Sequence, residues 1–295
     1  MDMLYWDHYY DKYILLNLAM VIALFASLRL FAGLIGGVKP TVELIKKDNP
    51  AFGIALAGVI LAIALLLSGT IYGSLDTTLL ESAETVIFRG VLGVILLAVT
   101  RIIFDRITLS RVHIKDEIIK GNVAVAIADT SNVIAAAIIV RAVFVWGKSN
   151  SMQGIVALVA GYAVSQLILT FITMAKLRIS TARYGDRGIQ RQLKNGNIAV
   201  SLRFAGQKIG TAFAIAIAAS LIATEDFELL PVLGVWFLAS LLAIFLLKLI
   251  SFISERIILF KVDINDEVIG QGNIAVGAVI GIIYVAIGLL LSSVG

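Results

Sequence analysis

The stretch Gly121-Asn122-Val123-Ala124-Val125-Ala126 opens an apolar run that reaches Trp146, and the chain repeats the pattern three more times. The other copies are Asp48-Asn49-Pro50-Ala51-Phe52-Gly53, Gly196-Asn197-Ile198-Ala199-Val200-Ser201 and Gly272-Asn273-Ile274-Ala275-Val276-Gly277. Their asparagines stand 73, 75 and 76 residues apart. An apolar run long enough to cross a bilayer core needs about 20 residues. Each copy begins one such run, and another run separates it from the next copy. The spans read as Tyr13–Leu34, Pro50–Tyr72, Thr85–Phe104, Val123–Trp146, Met152–Ala175, Ile198–Ala223, Leu229–Ile253 and Ile274–Ser293. The expected fold is therefore an all-α integral membrane protein with eight transmembrane helices. It is built from four parallel two-helix repeats in two tandem four-helix units, residues 1–148 and 149–295. Copies with an even number of spans keep the same direction, so pseudo-rotation about the membrane normal is the expected symmetry.

Composition agrees. The 295 residues are 60% hydrophobic and 15% charged, with a mean hydropathy of +0.99. Soluble domains lie near 45–50% apolar and about 25% charged. With no cysteine and two distant histidines, His8 and His113, thiolate chemistry and a His-rich metal site are excluded. No metal, cofactor or nucleic-acid ligand is expected. Residues Met1 to Lys12 are acidic and aromatic, so no removable signal peptide is expected.

The charges orient the chain. Loops after spans one, three, five and seven, counted with Arg29, Arg101 and Lys248 at the ends of the spans that lead into them, hold four, five, six and three basic residues, eighteen of the 24. Positive loops stay inside. The Asn-x-Ala loops are then cytoplasmic and both termini outside.

Asn is a strong helix N-cap, Pro50 suits the first helical position, and a preceding Gly permits a tight turn. Asn49, Asn122, Asn197 and Asn273 are thus read as helix caps. An anion or phosphate site at the helix N-termini is the weaker alternative. Upstream, Glu43-Leu44-Ile45, Glu117-Ile118-Ile119 and Glu267-Val268-Ile269 suit a short interfacial segment, with Gln192-Leu193 a weaker echo. Four and eight residues past the asparagines come small residues, including Gly53, Ala126, Ser201, Gly277 and Gly281. These let backbones approach closely in lipid, so the even-numbered spans should form the packed centre.

This pattern resembles the DUF350 family, also called UPF0719, of four-span bacterial inner-membrane proteins. Residues Leu44–Ala51 and Ile118–Ala124 carry the likeness in the first half, and Leu193–Ala199 and Val268–Ala275 in the second. The third copy departs from the pattern in lacking the Glu. The resemblance implies a bacterial inner-membrane location and no particular activity. Some relatives are encoded near membrane-remodelling factors, which makes a peripheral cytoplasmic membrane-stress protein a candidate partner, beside membrane lipids and a second copy of the chain.

Charged residues inside spans are costly, about 2.5–3.5 kcal/mol at a helix centre, and mark function by default. Asp129, Arg203, Gln207 and Lys208 form the expected buried polar cluster. On a helical wheel Asp129 lies about 60° and Lys208 about 20° from the small-residue face, and Arg203 about 160°. An Asp129–Lys208 pair is expected, with Arg203 and Gln207 facing a polar cavity or Ser165-Gln166. Such a pair either docks the two halves structurally or serves transport.

Two functions compete. One is a transporter or channel-like protein for a small solute or ion, an anion being favoured by the excess of base. The other is a non-transporting scaffold or membrane-stress sensor whose basic loops bind lipid or a peripheral partner. A cavity at Lys208 favours the first and a dry, filled centre the second. No catalytic constellation is present in the spans, so no enzymatic activity is expected.

Overall fold

The computed structural model describes residues 39–71, 78–146, 152–221 and 228–293, with isolated residues 15, 18, 19 and 22. The expected first span, Tyr13–Leu34, lies outside the described stretches. Among the described residues there are seven long helices: α1 (Pro50–Ile71), α2 (Leu79–Ile103), α3 (Val123–Trp146), α4 (Met152–Tyr184), α5 (Ile198–Ala216), α6 (Leu229–Ile258) and α7 (Ile274–Ser293). Six are long and apolar enough to cross a membrane. The exception is α5, whose apolar run is broken by Arg203, Gln207 and Lys208.

The four helices that follow the asparagines, here the motif helices, pack side by side in the order α1, α3, α5, α7. The intervening helices straddle this row: α2 lies against α1 and α3, and α6 against α5 and α7. The expected rotational repeat thus takes the form of a stepped row. The two inner motif helices, α3 and α5, each have one edge for a predecessor and one for a successor.

Small residues set the spacing. A Cβ on Gly206 of α5 would lie 2.1 Å from the Gly281 carbonyl of α7. One on Gly277 would lie 2.4 Å from the Ala199 carbonyl, and one on Gly58 of α1 2.4 Å from Thr130 of α3. Ala126 and Ser201 are fully buried. Gly53 differs: its Cβ would meet only Leu44 of its own repeat.

The segments leading into the motif helices differ for a countable reason. Glu117 and Asn122, like Gln192 and Asn197, are five residues apart, and their segments are α-helical turns, Ile114–Ile119 and Ile189–Lys194. Glu43 and Asn49, like Glu267 and Asn273, are six apart, and their segments are π-helical, Val42–Lys46 and Asp266–Gly270. The wider turn absorbs the extra residue. Each segment then reverses through one left-handed residue: Asp48 (φ 47°), Gly121 (88°), Gly196 (80°) and Gly272 (66°).

Two apolar clusters fill the row. The larger, with Leu66, Phe144, Ile215 and Trp236, occupies the end remote from the asparagines. The smaller, with Phe104, Leu109, Phe204 and Val268, lies at the motif end.

Candidate functional site

Each motif asparagine works in two directions. Its Oδ1 accepts from the backbone N–H three residues on, at Phe52, Val125, Val200 and Val276. This caps the helix. Its amide group donates backward to the acid of its own lead-in segment: Asn49 to Glu43, Asn122 to Glu117 and Asn273 to Glu267. In the third copy Gln192 Oε1 takes the place of the carboxylate, 3.0 Å from Asn197 Nδ2. The third copy therefore keeps the hydrogen bond without the charge.

The amide also donates forward, into the next repeat. Asn49 Nδ2 reaches the Ile118 carbonyl at 3.0 Å and that of Ile119 at 3.3 Å. Asn122 Nδ2 reaches the Leu193 and Lys194 carbonyls at 3.1 and 3.0 Å. Asn197 Nδ2 reaches the Val268 carbonyl at 3.1 Å. The asparagines thus link the four repeats at the motif end, and the four N-termini follow one another along the row.

Charge keeps these caps in place. The Glu43 carboxyl lies below its ordinary range because Lys47 and Asn49 donate to it. Burial would raise that of Glu117, but hydrogen bonds from Asn122 and Lys120 outweigh it and leave the group lowered.

The buried cluster is arranged differently from the expectation. Asp129, 1% exposed at its side chain, pairs with Arg101 of α2 at 2.7 Å and not with Lys208. Its Oδ1 has no partner. Arg101 stands near the end of an apolar run and counts in the sequence as a loop base. Its side chain, 45% exposed, reaches from α2 across to α3.

Lys208 is held by aromatic rings. Its Nζ lies 3.9 Å from the centre of the Phe104 ring and 5.8 Å from that of Phe204. Lys176 of α4 sits on the same Phe204 at 4.8 Å and donates to Gln207 Oε1. Arg203 donates to Asn265 Oδ1 at 3.4 Å. Ser165 and Gln166 are engaged elsewhere, Ser165 by the Trp236 indole N–H and Gln166 by Thr100 and Thr170.

These bases surround a cavity of about 590 Å³ bounded by α4, α5, α6, α7 and the fourth lead-in segment. Lys176, Arg183, Arg203, Lys208 and Lys248 line it, and no acid does. Glu255, buried on α6, acts electrostatically on Arg203 and Lys176 from nearby. Beyond the remote end of the lining, Trp236 of α6 bonds Ser165 of α4 at 2.9 Å. Lys176, Lys248 and Glu255 were missed in the sequence because they lie toward the ends of long apolar helices, where bases ordinarily snorkel. Among the described residues no His, Cys, Asp and Glu cluster fit for a metal occurs.

A helical fold with repeated motif helices, six helices of membrane-spanning character and a cationic cavity between helices fits a multi-span membrane protein. A family model described as Domain of Unknown Function (DUF350) matches residues 5–144 and again residues 150–294. The chain belongs to that family, as two tandem copies. No curated protein and no solved structure matches it.

Proposed function

We propose that the protein is an eight-span protein of the bacterial inner membrane that takes a small anion from the cytoplasm into the cavity at Lys208, as a step in its transport. Tyr13–Leu34 and α5 complete the count of spans. The concentration of Lys and Arg at the motif end supports a cytoplasmic motif end with the termini outside. The protein is not an enzyme on this reading, and its partners at this site are solute and lipid.

One observation carries the reading: five bases line a single cavity whose lining holds no acid. Glu255 answers Arg203 and Lys176 from outside the lining, which leaves the five bases with a net positive charge, and in a medium of low dielectric such charge attracts an anion more strongly than in water. Lys208 rests on rings instead of a carboxylate. An incoming anion therefore breaks no ion pair there. The Trp236–Ser165 bond beyond the cavity supports reading it as a half-channel, one of the two states alternating access requires.

The competing reading, a non-transporting scaffold or stress sensor, is favoured by the dry packing of Leu66, Phe144, Ile215 and Trp236 in the remote half. Anion binding tests the site. The melting temperature of the purified protein is measured against phosphate, chloride and acetate at constant ionic strength. A ligand at 100 times its Kd stabilises by about 2.7 kcal/mol. At least one anion should raise the melting temperature of the wild type and not of Lys176→Met/Lys208→Met. Equal responses in both proteins, or none in either, would overturn the assignment.

A further inference from the structure

Among the described residues the row of motif helices is open at both ends, and the two ends are complementary. Three of the four lead-in segments receive a predecessor. Their apolar residues Ile118, Leu193 and Val268 are 4%, 0% and 0% exposed, and their carbonyls accept the preceding asparagine. The equivalent residue of the first segment, Leu44, is 38% exposed. At the other end the pattern inverts. Ala51, Ala124 and Ala199, each two residues past its asparagine, are fully buried by a successor, and Ala275 is exposed. Asn273 donates to Glu267 alone among the described residues, whereas Asn49, Asn122 and Asn197 all donate onward as well.

The helix faces follow suit. In the α5–α7 seam the later helix offers Gly277 and Gly281 to Ala199 and Leu202 of the earlier one. In the α1–α3 seam Thr130 Oγ1 donates to the Ile54 carbonyl at 3.1 Å. The face on α1 that matches Gly277 and Gly281 is Gly53 and Ala57, continued by Ile60 and Ala64. Ala57, Ile60 and Ala64 are exposed. On α7 the face that matches Ala199 and Leu202 is Ala275 and Ala278, both exposed.

We infer that a second copy of this chain docks head to tail, its α1 continuing the row beyond α7. Asn273 of one copy donates to the Leu44 and Ile45 carbonyls of the next, and Ala275 and Ala278 meet Gly53 and Ala57. Such an interface is heterologous, so copies add until the rotation closes a ring or a line of protomers forms. The occupant is this chain because the seam is one it already builds three times, with the same donor, acceptor and small-residue slots.

The chain contains no cysteine, so thiol cross-linking reads the seam directly. Ala57→Cys and Ala278→Cys occupy the places held by Thr130 and Ile54 in the first seam. Position 57 tolerates the change because a Thr fills the same slot in the second repeat. Oxidised in native membranes, the double variant should give a ladder of dimers and larger species. The two single variants expressed together should give dimers only, and either alone should give none. Ala57→Cys paired with Leu242→Cys, on an exposed face of α6, should also give none. A double variant that cross-links no better than this control overturns the proposal, as does Ala57→Cys cross-linking alone, which means a symmetric contact. The mass of the protein in lipid nanodiscs is the second measurement. Wild type should exceed one copy, and Leu44→Glu should fall to one copy with its melting temperature kept. A wild type of single-copy mass overturns the proposal as well.

Discussion

Replacing Asn122 by Ala separates the two jobs of the motif asparagine, and the structure sets the size of the effect. The cap on Val125 contributes about 1 kcal/mol. The bond to Glu117, a charged acceptor with an 11% exposed side chain, adds about 1 kcal/mol, at the low end for such bonds because water replaces part of it. The forward bonds to the Leu193 and Lys194 carbonyls add about 1 kcal/mol more, since the Lys194 carbonyl is reachable by solvent. Asn122→Ala should therefore cost about 3 kcal/mol. Asn273→Ala loses the cap and the Glu267 bond and has no forward bond to lose. In dilute detergent, with the chain confirmed as single copies, it should cost about 2 kcal/mol. The difference is about fivefold in the unfolding constant. Asn122→Ser keeps an oxygen for the cap and removes both donors, so it should recover only the first kilocalorie. Equilibrium unfolding in mixed micelles, followed by circular dichroism, measures all three. If Asn273→Ala is as damaging as Asn122→Ala, the forward bonds contribute nothing and the linked row is wrong as an energetic description.

Acid should loosen the motif end. Glu43 and Glu117 are held below their ordinary value of 4.5, so their stabilisation is complete above that value and is lost as pH falls through the lowered folded values. The melting temperature should fall below pH 4.5, and Glu43→Gln/Glu117→Gln should flatten the curve while keeping the fold at pH 7, as Gln192 does in the third repeat. Arg101→Met strands the buried Asp129 and, because Arg101 is itself 45% exposed, should cost about 2 kcal/mol, below the range for a fully buried pair. Asp129→Asn, which leaves Arg101 free to turn to solvent, should cost less, and the double substitution should recover most of the loss in a denaturation cycle. Gly206→Val forces α5 from α7 and should cost about 3 kcal/mol. Gly234→Val, where a Cβ meets nothing within 4 Å, should be neutral by the same melt.

Much of this architecture is legible in the residues. Four Asn-x-Ala copies at nearly constant spacing give the repeats, the tandem halves and the family, because a motif recurring at one place in each unit reports one supersecondary element. Small residues four apart identify the helices that touch, since only they admit a backbone at that distance. The partner of Asp129 was not legible. The facing argument compared motif helices with one another, and the base that answers Asp129 comes from α2, at a helix end where an arginine ordinarily reads as a loop charge. The seat of Lys208 was missed for a related reason. Phe104 and Phe204 look like any apolar residues of a span, and only the approach of Phe104, in the turn after α2, to Phe204 and Lys208 of α5 turns their faces into a substitute for a counter-ion. The one-residue difference between lead-in segments is visible as spacing, whereas its absorption by a π-turn depends on holding Glu and Asn together.

Anion flux through oriented proteoliposomes tests the central claim, that the cavity at Lys208 receives an anion from the motif side. Vesicles carrying wild type, Lys208→Met or Arg141→Met, a base on α3 that bonds Ser68 outside the cavity, are compared for uptake of the anion that raised the melting temperature. Wild type and Arg141→Met should carry it at similar rates, and Lys208→Met should lose at least tenfold with its fold intact. Equal flux in all three proteins, or no flux above protein-free vesicles in any, would contradict the account.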